Sequence, residues 1–244
     1  MKDNLRVPLD AKETIEKYEE RYIHFDFFEL PKTLKTHLKP GPLSFVDLGC
    51  GDGPWFNLLH QCGYISESRP VYAVDLDDNR LKRIVARFPW ISIIAGSAES
   101  VPTIPDQSVD FVISTMVMEH VFDEGKYLSE IRRILRIGGK AFITTVYKRK
   151  WAWFYRRRNG EFVLDTSHVR EYTDLDVFKK IITNSGLEIL DIKLVQLKFS
   201  MLKPVFRIWK RSERSMNFGL RLLLWPKLPV PGYYELELVV QHRA

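Results

Sequence analysis

Apolar positions along this chain change period several times, and the changes mark out its elements. Two helical patterns come first. Asp10 to Tyr22 has Asp10 as its cap, and Phe27 to Leu38 is stopped by Lys39-Pro40-Gly41-Pro42. Beyond them, short β-branched or aromatic runs alternate with amphipathic stretches. The runs are Leu43 to Leu48, Pro70 to Asp75, Ile91 to Ala95, Val109 to Ser114 and Lys140 to Val146. The stretches between them are Trp55 to Cys62, Asn79 to Phe88 and Glu124 to Arg136, the last with Tyr127, Leu128, Ile131 and Leu135 at helical spacing. A further helix, Leu175 to Ser185, precedes two long strands, Leu187 to Leu197 and Tyr233 to His242. Strand and helix in alternation are the signature of a parallel sheet built from βαβ units. The expected organisation is an N-terminal helical cap segment over residues 1–42 and an α/β domain over 43–244. Insertions interrupt the rhythm at 147–172 and 199–232.

At 244 residues and 45% hydrophobic composition the chain is long and apolar enough for a large core, which excludes global disorder and a disulfide-held mini-protein. Cys50 and Cys62 stand alone, without CxxC or Cys/His ligand spacing, so neither a disulfide framework nor a metal site is expected. Met1 to Glu20 alternates charges where a secretory leader needs an apolar core. The expectation is a reducing, cytoplasmic setting.

The net charge of +6 is unevenly placed. Tyr147 to Arg158 holds six basic residues and no acid; Lys198 to Lys227 holds eight basic residues and one acid. Outside these segments acidic residues outnumber basic ones, so an argument from basic surface is local to them.

The strongest chemical signal is Phe45-Val46-Asp47-Leu48-Gly49-Cys50-Gly51-Asp52-Gly53, a strand running into a glycine turn and then a helix. Its glycines let backbone approach a ligand, and the following helix offers free N–H groups. The spacing is GxGxG, not the GxGxxG that closes on a pyrophosphate. Asp47 is placed to accept hydrogen bonds from the loop amides. Val71-Tyr72-Ala73-Val74-Asp75 ends the next strand in a carboxylate, where open α/β sheets bind a ribose.

These residues resemble the class I S-adenosylmethionine-dependent methyltransferases, in particular the broad small-molecule group (methyltransferase type 11). The resemblance covers roughly residues 43 to 190. It continues through Gly96-Ser97-Ala98-Glu99, Val101-Pro102, Ser108 to Ser114, Met118-Glu119-His120-Val121 and Arg133 to Lys140. It implies a Rossmann-like fold: a mostly parallel seven-stranded sheet with an antiparallel last strand and helices on both faces. It also implies S-adenosyl-L-methionine as cofactor. Gly49, Cys50 and Gly51 would lie beside its amino-acid end with Asp47 behind them, and Asp75 at the ribose. Leu76 would flank the adenine, with Ser97, Ala98 and Glu99 near its edge, and Ser114 would begin the loop over the methionine moiety. Related enzymes often carry an acid where Ser97 stands, and Glu99 is the substitute within reach. His168, in Asp165 to Thr173, and His120 are the candidate acceptor contacts or bases.

Methyl transfer from a sulfonium needs mainly alignment and exclusion of water, so an obvious base is not required. The expected acceptor is a small-molecule, saccharide or lipid-linked oxygen or nitrogen. Lys148 to Arg158 interleaves cations with aromatics, a mix suited to an anionic acceptor or to peripheral contact with the inner membrane face. An RNA methyltransferase and a non-catalytic S-adenosylmethionine-binding module are the alternatives. The acidic body and the lack of a recognisable RNA-binding module disfavour nucleic acid. The sequence does not specify an oligomeric state.

Overall fold

The computed structural model describes residues 29–200 and 227–243. Seven strands form one sheet: Phe45–Leu48 (β1), Val71–Asp75 (β2), Ser92–Ala95 (β3), Val109–Thr115 (β4), Leu135–Lys148 (β5), Leu187–Ser200 (β8) and Lys227–His242 (β9). Their order is β3-β2-β1-β4-β5-β9-β8. All pairings from β3 to β5 are parallel, whereas β9 lies antiparallel to both β5 and β8. A small separate hairpin, Arg157–Arg158 (β6) with Glu161–Phe162 (β7), sits in the loop after β5.

Helices cover both faces, and strand residues alternate between them with period two. Val46 and Leu48 face a core completed by Tyr127, Leu128 and Ile131 of Glu124–Ile134 (α4) and by Phe178 and Ile182 of Leu175–Asn184 (α5). Phe45 faces the opposite core, with Leu34 of Lys32–His37 (α1), Phe56 and Leu59 of Pro54–Gln61 (α2), and Leu81 and Ile84 of Asp78–Arg87 (α3). All four residues of β1 are buried, as expected of a parallel strand covered on both sides. Each fully buried large apolar side chain here contributes about 1.5–3 kcal/mol.

The helix expected from Phe27 begins only at Lys32, after Pro31. A proline disfavours the helical conformation in the residue before it, here Leu30, so the helix cannot run through that position. Asp10 to Tyr22 lies outside the described residues. The helix expected to reach Arg136 ends at Ile134, because Leu135 already pairs with Val109 in the sheet. The register then shifts before Phe111, and the offset is taken up at Gly138-Gly139. A Cβ on Gly139 would lie 2.8 Å from the Arg136 carbonyl oxygen and 3.0 Å from that of Val109, so only glycine fits there. The last two strands run further than expected: Phe199 pairs with Leu228 and Ser200 with Lys227. The basic insertion expected over 199–232 therefore shortens at both ends, and its centre, residues 201–226, lies outside the described residues. The carboxyl ends of β1, β2, β4 and β5 share one edge of the sheet, where open α/β sheets bind ligands.

Candidate active site

The glycine turn after β1 is held in shape by β2. The amides of Gly49 and Cys50 donate to the Val74 carbonyl at 2.8 and 2.9 Å, and the Gly51 amide donates to Asp75 Oδ2 at 2.7 Å. Gly49, Gly51 and Gly53 have φ of +74°, +55° and +69°, the left-handed region that strains a side chain. At Gly49 an added Cβ would also collide with the Val117 side chain. Arg83 fixes Asp52 through Nε at 2.9 Å and Nη2 at 2.6 Å, so the loop is braced from α3 as well.

The loop-holding role expected of Asp47 falls instead to Asp75. Asp47 accepts no loop amide: both its carboxylate oxygens are buried without a hydrogen-bond partner. Burial, and then the negative charge of Asp75, push its pKa well above the ordinary carboxylate range. The loop-holding role belongs to Asp75, which also accepts the Asp77 amide on Oδ1 at 2.9 Å. These two bonds leave about half of a carboxylate's lone-pair sites open. Asp77 is the N-cap of α3, accepting the amides of Asn79 and Arg80, so Asp75 is free of that duty. Cys50 is buried, and burial pushes its thiol up, so it stays protonated.

Leu76, directly after Asp75, is 47% exposed, an apolar surface at the mouth. Ala98 is buried, and Ser97 Oγ accepts the Glu99 amide at 3.1 Å. Glu99 Oε1 accepts the Phe122 amide at 2.7 Å, so one oxygen of the expected substitute acid is committed to the next loop. Ser114 is fully buried and donates to the Leu48 carbonyl at 2.7 Å, tying β4 to the end of β1.

Around the two histidines expected to contact the acceptor, the structure joins two loops. The amides of Val169 and Arg170 donate to the Glu119 carbonyl. The Arg170 guanidinium reaches the carbonyls of Met118, Val121 and Phe122, and the Tyr172 hydroxyl donates to Glu124 at 2.6 Å. This clamp brings His120 and His168 together, ring centroids 4.9 Å apart and edge to face. His168 is buried, and its Nδ1 lies 2.8 Å from Glu171 Oε1. That oxygen also accepts the Leu164 amide at 2.7 Å, and since a carboxylate oxygen only accepts, Nδ1 is the donor, which in the neutral ring leaves the lone pair on Nε2. Glu119 is fully buried, and burial raises its pKa to about 7 despite the Thr145 hydroxyl at 2.9 Å. Glu119, Thr145 and Glu171 were not singled out from the sequence. Glu119 and Glu171 stand one and three residues from a histidine in the sequence, whereas Thr145, in the middle of β5, carries no such signal.

The basic run after β5 is less free than its composition suggests. Arg156 pairs with Asp165 at 3.0 Å, and Arg158 donates to the carbonyls of Thr166 and His168 at 3.1 and 2.6 Å. Arg149, Lys150 and Arg157 are exposed, as are Trp151, Trp153 and Tyr155 at 65%, 53% and 56%. Arg158→Ala is expected to lower stability by about 1–3 kcal/mol and loosen the His168 loop, whereas Arg157→Ala should stay within about 0.5 kcal/mol of the parent. Thermal melts of the two variants check this, and equal melts would mean that Arg158 does not hold the loop. Among the described residues no helix is long and apolar enough to cross a membrane.

The sheet order, the glycine turn and the strand-end acid define a Rossmann-like, nucleotide-cofactor fold of the class I methyltransferase type. Residues 46–143 match the family model of the methyltransferase domain. The chain is 26% identical over 185 residues to a protein of Mycolicibacterium smegmatis described as a probable S-adenosylmethionine-dependent methyltransferase, covering 76% of this chain and 67% of that one. It is 25% identical over 207 residues to the human mitochondrial ubiquinone biosynthesis O-methyltransferase, covering 78% of this chain and 53% of that one. Two Mycobacterium tuberculosis relatives match over 100 residues, about a third of their length. The fold superposes on geranyl diphosphate C-methyltransferase from Streptomyces coelicolor with a TM-score of 0.61 at 14% identity, covering 96% of this chain and 99% of that one. Residues 46–143 thus match a methyltransferase domain, within a fold of the class I S-adenosylmethionine-dependent methyltransferase type.

The residues present fit that cofactor. The orphaned buried carboxylate of Asp47 beside the glycine turn suits an ammonium group, the remaining lone pairs of Asp75 suit a ribose, and the exposed Leu76 next to it suits a base.

Proposed function

We propose that the protein transfers the methyl group of S-adenosylmethionine to an oxygen or nitrogen of a small-molecule, saccharide or lipid-linked acceptor bearing negative charge. The observation that carries this reading is Asp47, a buried carboxylate with no hydrogen-bond partner beside the glycine turn. A buried charge without a partner is costly, and a cationic ammonium would relieve it. When bound, the cofactor supplies a methyl group on a good leaving group.

The chain's own residues do the rest. Asp47 would hold the ammonium of the methionine end, Asp75 would use its remaining lone pairs on the ribose hydroxyls, and Leu76 would cover the base. His120 and His168 would contact the acceptor and orient it, since they come from the loops after β4 and β5 at the same sheet edge. Such alignment supplies about 7–11 kcal/mol of barrier lowering. The exposed cations and aromatics of 149–157 would draw in an acidic acceptor, or a lipid-linked one at a membrane surface.

Transfer of radiolabelled methyl to a lipid extract, a polar small-molecule extract and total RNA tests the reading. Label is expected in one of the first two; label confined to RNA, or in none, would overturn it. His168→Ala should lower turnover with unchanged cofactor affinity, and full turnover would remove His168 from the acceptor side.

A further inference from the structure

We propose that Glu119, His120 and His168 form a binding site for a single transition-series divalent cation such as Zn2+. One donor atom from each of the three lies within 4.8 Å of the others. Donors on a tetrahedral zinc stand about 3.3 Å apart, given metal–ligand bonds of about 2.0–2.1 Å. Closing the difference takes small side-chain movements, and His120 is half-buried rather than fully enclosed. Two imidazoles and one carboxylate suit zinc-like ions far better than magnesium, which prefers oxygen.

Three further features point to a cation. Glu119 Oε1 is buried with no hydrogen-bond partner, while Oε2 is already held by Thr145 Oγ1. Among the described residues no lysine or arginine pairs with Glu119. Arg170 is spent on the carbonyls of its own clamp and on Glu124, and Lys148 pairs with Glu161 and Glu171. The Glu171 carboxylate holds His168 by Nδ1, which presents the Nε2 lone pair outward; metal-binding histidines are oriented in this way by an outer carboxylate. Three protein ligands leave one position open. The Asp47 reading does not depend on this site, but the site's use does rest on the acceptor assignment: an acceptor oxygen would take the open position.

No ligand spacing along the chain announces such a site, since His168 stands 48 residues after His120 and the cysteines are elsewhere.

Calorimetric titration of chelator-stripped protein with Zn2+ and with Mg2+, without cofactor, tests the proposal, with elemental analysis for stoichiometry. One Zn2+ per chain is expected at micromolar or tighter affinity, about 100-fold tighter than Mg2+. Glu119→Gln, His120→Ala and His168→Ala should each weaken it at least about tenfold, and Glu171→Gln by about 10–100-fold. His60→Ala, on the other side of the sheet, should leave it unchanged. Glu119→Gln keeps the shape of the side chain, so a folded variant is available if an alanine variant melts. No uptake up to about 1 mM Zn2+ overturns the site, as does uptake that all four variants retain. S-adenosylmethionine titrated into the same samples separates the two readings: loss of cofactor binding with zinc binding intact would count against the methyltransferase assignment alone.

Discussion

Asp75→Ala is expected to weaken S-adenosylmethionine binding by about 10–100-fold. A hydrogen bond to a charged group contributes about 1.5–3 kcal/mol, and each 1.4 kcal/mol is a factor of ten. Asp75 is asked to do two things at once: hold the Gly51 amide at 2.7 Å and offer its remaining lone pairs to the ribose. The substitution therefore removes a ligand contact and loosens the cradle around it. Calorimetry reads the first effect, and faster exchange of the Gly51 amide hydrogen reads the second. Parent-like affinity would show that the ribose is placed wrongly.

Asp47→Asn is expected to act in opposite directions on stability and on binding. Burial raises the carboxyl pKa of Asp47 in the folded protein, so the native state holds that proton more tightly than the unfolded chain does. Its favourable contribution is present below the unfolded value, near 4, and is lost as pH rises through the folded value. As pH rises without cofactor, the parent must either hold this buried carboxylate unpaired or keep a proton on it, a cost that asparagine does not carry. The cofactor-free variant should melt higher at pH 7.5, and the advantage should shrink on acidification. Cofactor affinity should fall by about 10–100-fold, because the charged partner of the ammonium is gone. A variant that melts higher and binds as tightly as the parent would place the cofactor's ammonium elsewhere.

What the sequence showed and what it hid follow from the range of the interactions involved. The parallel strands, the glycine turn and Asp75 are local patterns, and their elements appear within one or two residues of expectation except at the start of β5, which pairs from Leu135 rather than Lys140. The caps at Asp77 and Asp174 belong with them, each being a short side chain reaching amides two or three residues on. Asp47 reads as a loop anchor because sequence gives adjacency, not direction; in the fold the acid ending β2, two residues beyond Asp47's ladder partner Ala73, is the one that reaches the loop amides. The meeting of Glu119 and His120 with His168 and Glu171 depends on Arg170 and Tyr172 bridging two loops far apart in the chain. No periodicity announces such a bridge. The arginines at 156 and 158 likewise read as surface charge, because carbonyl groups as partners leave no trace in a sequence.

The position of β9 has a consequence for how the chain reaches its fold. It lies between β5 and β8, yet it leaves the ribosome after both. Until it arrives, β5 has one bare edge over residues 140–148 and β8 has nothing beside it. The contacts that close the sheet span roughly ninety residues of chain, an ordering cost that slows folding. The half-made sheet therefore exposes two long hydrogen-bonding edges for as long as that closure takes. The growing chain is most exposed to pairing with another copy in that interval, and a chaperone that shields strand edges would serve it best before β9 docks.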